Sequence, residues 1–180
     1  MSDTKKATVG DAIVLSGWIA LAGTSKIARE KTEELRSRLS ATIHEACIGF
    51  DSDVHMDIEK EIVAGQPVKH TMQCGKNGIF GSLWDLGESL GTGLEVDMTK
   101  IPLRQETIEL CEVLDINPYT LDSQGCMIYV TTNGSLLADS LAAKGINASV
   151  IGYINSTAAK TVKKDGRVRF LEPARNGGCK

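Results

Sequence analysis

The groups best suited to chemistry gather in one stretch, TMQCGKNGIFGSLWDLGE, residues 71–88. Its glycines, Gly75, Gly78 and Gly81, stand directly ahead of a run whose apolar residues have helical spacing. A glycine-rich turn entering a helix offers backbone N–H groups and the positive end of the helix dipole to an anion, and Lys76 adds a charge. Between Gln73 and Gly81 there is no acidic residue and no hydroxyl. The candidate phosphate contacts are therefore Gln73, Gly75, Lys76, Asn77 and Gly78, without a hard oxygen ligand for a metal. The competing reading is a strand-to-helix turn in which glycine allows positive φ and close packing.

Thiols are the second source of chemistry. The five cysteines (47, 74, 111, 126 and 179) include no C-x-x-C pair, and an odd count without framework spacing argues for a reducing compartment. Cys74 sits beside Lys76, where a neighbouring cation would favour the thiolate; the alternative is a small residue filling a crowded turn. Cys111 falls on an apolar helix stripe and Cys126 opens a strand, so both read as core. Cys179 follows Arg-Asn-Gly-Gly next to the last residue, where it is either a swinging thiol or part of a frayed end. His44, His55 and His70 lie in three separate segments, so no metal site is assigned.

These groups must be positioned by a domain of 180 residues, long enough to bury a core without staples. Hydrophobic content of 42% and charged content of 24% are ordinary for a globular protein, while 4% aromatics leaves the core to Leu, Ile, Val and Ala. Charge is uneven. Residues 160–180 carry seven Lys/Arg against two acids, net +5, so the other 159 residues carry −8. That basic end is too short and too poor in aromatics for a nucleic-acid surface and reads as a solvated hairpin. The polar start and short, interrupted apolar stretch of residues 1–18 fit neither a signal peptide nor a membrane span, so a cytoplasmic protein is expected.

Strands and helices alternate. DAIVLSGWIAL (11–21) reads as a strand, with Thr24 or Ser25 able to cap the charged helix that follows. MDIEKEIVAG is a helix and QPVKHTMQ a strand ahead of the glycine loop. After the loop, Ile79, Leu83, Leu86 and Leu90 share one face and Phe80, Leu83, Trp84 and Gly87 the next, a helix packed between layers. GLEVDM is a strand; in RQETIELCEVLD the expected buried stripe is Ile108, Cys111 and Leu114. CMIYVTT, SLLADSLAAKG and ASVIGYIN read strand, helix, strand, and Asp165-Gly166 joins a terminal hairpin. About five strands separated by helices predict an α/β (α+β) fold, a mixed sheet covered by helices.

The run GIFGSLWDLGESLGTGLEVDMTKIPLRQETIELCEVLDINPYTLDSQGCMIYVTTNG, then LAAKGINASVIGYI, resembles the second half of the aminoimidazole ribonucleotide (AIR) synthase superfamily. That group includes purine cyclo-ligases, selenophosphate synthases, thiamine-phosphate kinases and a hydrogenase maturation factor that dehydrates a carbamoyl thioester. The likeness is greatest to the hydrogenase-maturation branch and spans residues 9–173, since VGDAIVLSGWIALAGTSKIAREKTEELRSRL resembles the segment joining the two halves there. The resemblance implies an N-terminal arm (1–10), an AIR synthase-related C-terminal domain (11–173) and a Gly-Gly-Cys tail (174–180). It also implies an N-terminal half that supplies most nucleotide and magnesium ligands, and this sequence has no counterpart of it. In that branch an Asp-x-Thr-x-Gly-Gly stretch precedes the helix; the matching residues here are Gln73, Gly75, Asn77 and Gly78, so one of four motif positions is kept. The related factor ends in a carbamoyl-accepting cysteine, for which Cys179 is the counterpart, although Lys180 follows it.

The expectation is an accessory or assembly module that is not active alone and has no cofactor of its own. ATP and magnesium would bind only with a partner domain. The alternative is an ATP-dependent amide- or carboxyl-activating enzyme working with an N-terminal half supplied in trans. The expected partners are a second copy of the chain or that separate half.

Overall fold

A computed structural model describes residues 6–50 and 56–175. Strand β1 (Ala12–Ser16) is buried along its whole length. Ile13 and Leu15 face one apolar cluster and Val14 faces another, so no side of the strand is left for water. A strand covered on both faces is continuously apolar rather than alternating, which is why AIVLS reads as it does.

β1 lies inside a sheet completed by β2 (Val68–Gln73), β3 (Gly93–Asp97), β4 (Met127–Thr131), β5 (Ala148–Asn155), β6 (Lys160–Lys164) and β7 (Arg167–Phe170). Among the described residues the order is β2-β4-β1-β5-β3-β6-β7. Neighbours pair antiparallel except β3 and β6, which run parallel. The hairpin between β6 and β7 turns at Asp165 (φ 51°) and Gly166 (φ 75°), the positive-φ pair that a primed turn needs.

Helix α1 (Leu21–Glu30), α2 (Thr32–Arg36), α3 (Ala41–Ile48) and α6 (Gln105–Leu114) make a helical lobe around Ala28, Leu35, Cys47, Leu110 and Cys111. Helix α5 (Gly78–Leu90) covers one face of the sheet, where Ile79, Leu83 and Leu86 meet Ile13, Leu15, Ile128 and Val130. On the other face α7 (Gly134–Ala142) and residues of α4 (Met56–Ala64) pack on Val14 and Tyr129.

Three details depart from the sequence expectation. The strand expected over 11–21 stops at Ser16, because Gly17 takes φ 86° and Ala20 φ 64°, and helix α1 starts at Leu21. Thr24 and Ser25 therefore sit buried inside α1 rather than capping it; the Ala20 N–H donates instead to Ser123 Oγ at 2.9 Å. The buried residues of α6 are Thr107, Leu110 and Cys111, with the Thr24 hydroxyl 3.2 Å from that of Thr107, while Ile108 and Leu114 are only partly covered.

Polar groups close both ends of β1. At its start Asp11 Oδ2 lies 2.8 Å from Lys69 Nζ, with side-chain exposures of 4% and 9%, and accepts the Thr8 N–H at 2.6 Å. At its end the Ser16 hydroxyl donates to Glu59 Oε2 at 2.8 Å, as does the Tyr129 hydroxyl at 2.5 Å. Burial works to raise the Asp11 pKa, but the bonds and charge of Lys69 and the bonds from Thr8 together hold it below the ordinary carboxylate range. A depressed folded-state pKa contributes stability that is present above the unfolded value of about 3.9 and is lost as pH falls through the folded value. We therefore expect Lys69→Met to destabilise the chain by about 3 kcal/mol in denaturant unfolding at neutral pH, because it strands a buried carboxylate. Asp11→Asn should flatten the loss of stability expected of the wild type below about pH 4. An unchanged acid slope in Asp11→Asn would remove this pair from the account of stability.

Candidate functional site

The glycine loop is the crossing from β2 to α5. Gln73 ends the strand opposite Met127, and the Cys74 N–H then reaches Cys126 O at 2.9 Å, holding the loop against β4. Beyond that point the chain closes on itself. The Gly78 N–H donates to Gly75 O at 3.2 Å, and the Ser123 N–H donates to the same carbonyl at 3.2 Å. The Gly75 N–H donates to Ser82 Oγ at 3.1 Å, whose hydroxyl in turn donates to Gly78 O at 2.9 Å. Two of the amides that an anion would use are thus already committed.

Gly78 is required by its surroundings. It has φ +71°, and a Cβ there would stand 2.5 Å from Tyr119 O and 2.6 Å from Thr120 C. Gly81 has a related role, since a Cβ would lie 2.5 Å from Asn77 Cβ. The close approach at Gly78 seats the 3-10 turn Pro118–Thr120 on the start of α5, with Phe80 stacked on Tyr119 at 5.1 Å between centroids.

A groove of about 450 Å³ opens beside this contact, lined by Asn77, Phe80, Asn117, Thr120, Arg169 and Arg175. It adjoins a second, of about 660 Å³, where Lys164 and Arg167 join Arg169. The structure therefore brings Asn77 to a groove formed with the terminal hairpin, where Arg169 and Arg175 outnumber Glu172, which lies 3.9 Å from Arg175. Gln73, Gly75, Lys76 and Gly78 are not among the groove-lining residues, and Gln73 and Lys76 are exposed. Cys179 lies outside the described residues. Asn117 and Tyr119 carry no local signal of a site, since an Asn-Pro pair after a helix marks only its end.

The four described cysteines are free and buried. Cys74 is 1% exposed, and burial pushes its thiol up to about 12, so the Lys76 charge does not activate it. Burial likewise raises Cys47 and Cys111 to about 11, and raises Cys126 further, with the Cys74 and Glu59 charges adding to the effect on Cys126.

No family profile matches the chain. The carbamoyl dehydratase HypE of Rhodobacter capsulatus is 26% identical over 117 residues, covering 58% of this chain and 34% of that protein. The crystal structure of Escherichia coli HypE, a hydrogenase maturation protein, superposes with a TM-score of 0.78 at 17% identity, over 97% of this chain and 52% of that one. A chain of a HypE–HypF complex gives a TM-score of 0.74 at 20% identity, over 94% and 55%. The chain thus spans about a third of that curated relative and about half of those solved chains. In fold and in sequence the chain is thus similar to members of the AIR synthase superfamily. The similarity is to its hydrogenase-maturation branch. No helix of the described residues is long and apolar enough to cross a membrane.

Two expectations follow from this geometry. Gly78→Ala should cost about 3 kcal/mol or more in denaturant unfolding, from forced positive φ plus the clash with Tyr119 O. Gly75→Ala, where a Cβ meets nothing within 4 Å, should stay within about 0.5 kcal/mol of the wild type. Equal costs at both positions would contradict the packing role given to Gly78. Cys47, Cys74, Cys111 and Cys126 should also resist a thiol reagent in the native chain at neutral pH and react after unfolding. Rapid native labelling at any of the four, located by peptide mapping, would overturn that assignment.

Proposed function

We propose that this chain acts as an accessory or assembly module of a hydrogenase-maturation-type system, built on the AIR synthase fold without its complete metal–phosphate machinery. The observation that carries this reading is the self-closed glycine loop, with the Gly75 and Gly78 amides bonded inside the turn. The donor chemistry agrees. The family resemblance implies a carboxylate where Gln73 stands exposed, and a neutral amide is a poor substitute for a hard oxygen ligand of magnesium. MgATP therefore does not fit the loop as this chain presents it, and no reaction step is assigned to it.

The role left to such a module is contact with another protein. HypE occurs in a solved complex with HypF, which supports a protein partner for a related chain. The exposed Val168 and Phe170 on β7 and Tyr153 on β5 are apolar surface suited to a second copy or to a separate N-terminal half.

A second reading keeps part of an ATP-dependent activation of an amide or carboxyl oxygen, with the other half supplied in trans and Cys179 as carrier thiol. It is favoured by one observation, the groove where Arg169 and Arg175 stand beside Asn77 at the start of α5, a setting that suits phosphate.

Calorimetry of MgATP against the 180-residue chain separates the two, combined with light scattering at high protein concentration. We expect no tight magnesium-dependent site, together with a dimer or a stable complex with a partner. A tight, magnesium-dependent site on this chain would replace the accessory reading with the enzymatic one. A monomer that recovers no partner from cells would remove the assembly role.

A further inference from the structure

A separate cavity, of about 190 Å³, lies at the end of the sheet where β1 stops and β4 and β5 begin. Its lining includes Trp18, Glu59, Arg104, Cys126 and Asn147. None of these belongs to the groove beside the glycine loop, and neither reading of the chain's function uses them.

Three polar ends around this cavity lack partners among the described residues. Glu59 is 3% exposed, and both of its hydroxyl donors, Ser16 and Tyr129, bond to Oε2, which leaves Oε1 without a donor. The Arg104 guanidinium carbon lies over two rings, 4.9 Å from the Trp18 centroid and 5.7 Å from that of Phe50. It has no hydrogen bond or ion pair, and its Nε is buried and unpartnered. Asn147 Nδ2 is also buried without an acceptor, although the Asn147 carbonyl fixes the Gly17 N–H at 2.7 Å. Buried polar groups are nearly always paired, so two buried atoms without partners beside a carboxylate oxygen without a donor call for an occupant. Glycine keeps the space open: Gly17 has φ +86°, and a Cβ there would already stand 3.2 Å from Cys126 Sγ.

The arrangement defines what fits. The lining offers a carboxylate oxygen that accepts, its partner oxygen fixed by two hydroxyls. It also offers a guanidinium and an amide N–H that donate. We propose that the cavity binds a small zwitterion of the α-amino-acid type, its ammonium on Glu59 Oε1 and its carboxylate on Arg104 and Asn147 Nδ2. A 150 Å³ cavity holds benzene, so this one suits a molecule of about eight heavy atoms, the size of serine, threonine or valine. The site binds without covalent chemistry. The Cys126 thiol at its wall donates to Trp18 O at 3.0 Å and is kept protonated by burial.

The test is calorimetry and thermal shift on the full chain with glycine, alanine, serine, threonine, proline and valine, each beside its methyl ester and its N-acetyl derivative. Saturable binding is expected for at least one free amino acid. Esterification or acetylation should weaken it about tenfold or more, since each removes one charged contact. Arg104→Gln, at a partly exposed position, should weaken binding to a similar degree while unfolding stays cooperative. Should that variant fail to fold, the ester and acetyl derivatives decide alone. The proposal is overturned if the folded wild type binds none of the six at millimolar concentration. It is equally overturned if blocked and free ligands bind alike, or if folded Arg104→Gln binds as the wild type does. No nucleotide enters the experiment, so its outcome is independent of the functional reading above.

Discussion

The structure depends on a central strand with no wet side. β1 is covered above by α5 and below by α7, so every polar group at its ends must find a partner inside the protein. Asp11 finds Lys69 on β2, and Ser16 finds Glu59 on α4. Each bond reaches an element that is not a sheet neighbour of β1, since β4 separates β1 from β2 and α4 lies off the sheet. The apolar strand thereby fixes more than the core. Its polar ends tie down the first edge strand and the helix that follows residues 51–55.

The same close packing builds both concave sites. Where Gly78 lets the Tyr119 carbonyl press onto the start of α5, the Phe80–Tyr119 stack forms one wall of the groove of about 660 Å³. Where Gly17 ends β1 with positive φ, the chain turns aside at Trp18 and leaves the cavity that Arg104 and Glu59 line. In both places a glycine without room for a side chain creates space next door. A glycine motif read from sequence therefore points to a neighbourhood, while the atoms able to hold a ligand come from other segments.

This explains what could be read from the sequence and what could not. Buried strands such as AIVLS and MIYVT, the Asp165-Gly166 turn and the α5 pattern are local signals, and the structure bears them out. Glu59 is different. In MDIEKEIVAG it is one of several charges on a short helix, and nothing nearby tells it from Glu61, yet Glu59 is buried and Glu61 exposed. Its fate is set by Ser16 and Tyr129, 43 and 70 residues away in sequence. The α6 stripe was displaced for a similar reason. The facing Thr24 supplies a hydroxyl partner for Thr107, which makes a polar residue a better inward choice than the pattern Ile108–Cys111–Leu114 suggested.

The basic C-terminal segment shows how tertiary contacts divide a charge run. Lys160 is 9% exposed; its stem fills the space left by Gly87, its ammonium lies 4.5 Å from the Trp84 ring centroid, and Nζ meets Glu88 Oε1 at 2.6 Å. Lys163 pairs with Glu95 at 2.9 Å across the parallel β3–β6 ladder. Those two lysines hold the hairpin to the body, so two of the segment's seven cations are paired with acidic residues of α5 and β3. Lys164, Arg167 and Arg169 instead line the grooves beside the glycine loop. The charge a partner meets is therefore a compact arginine-rich edge next to Asn77. At physiological ionic strength its field fades within about 8 Å. A cluster of that reach acts on a group already seated in the groove rather than steering a distant molecule, so the hairpin is better placed to select what docks there than to attract it.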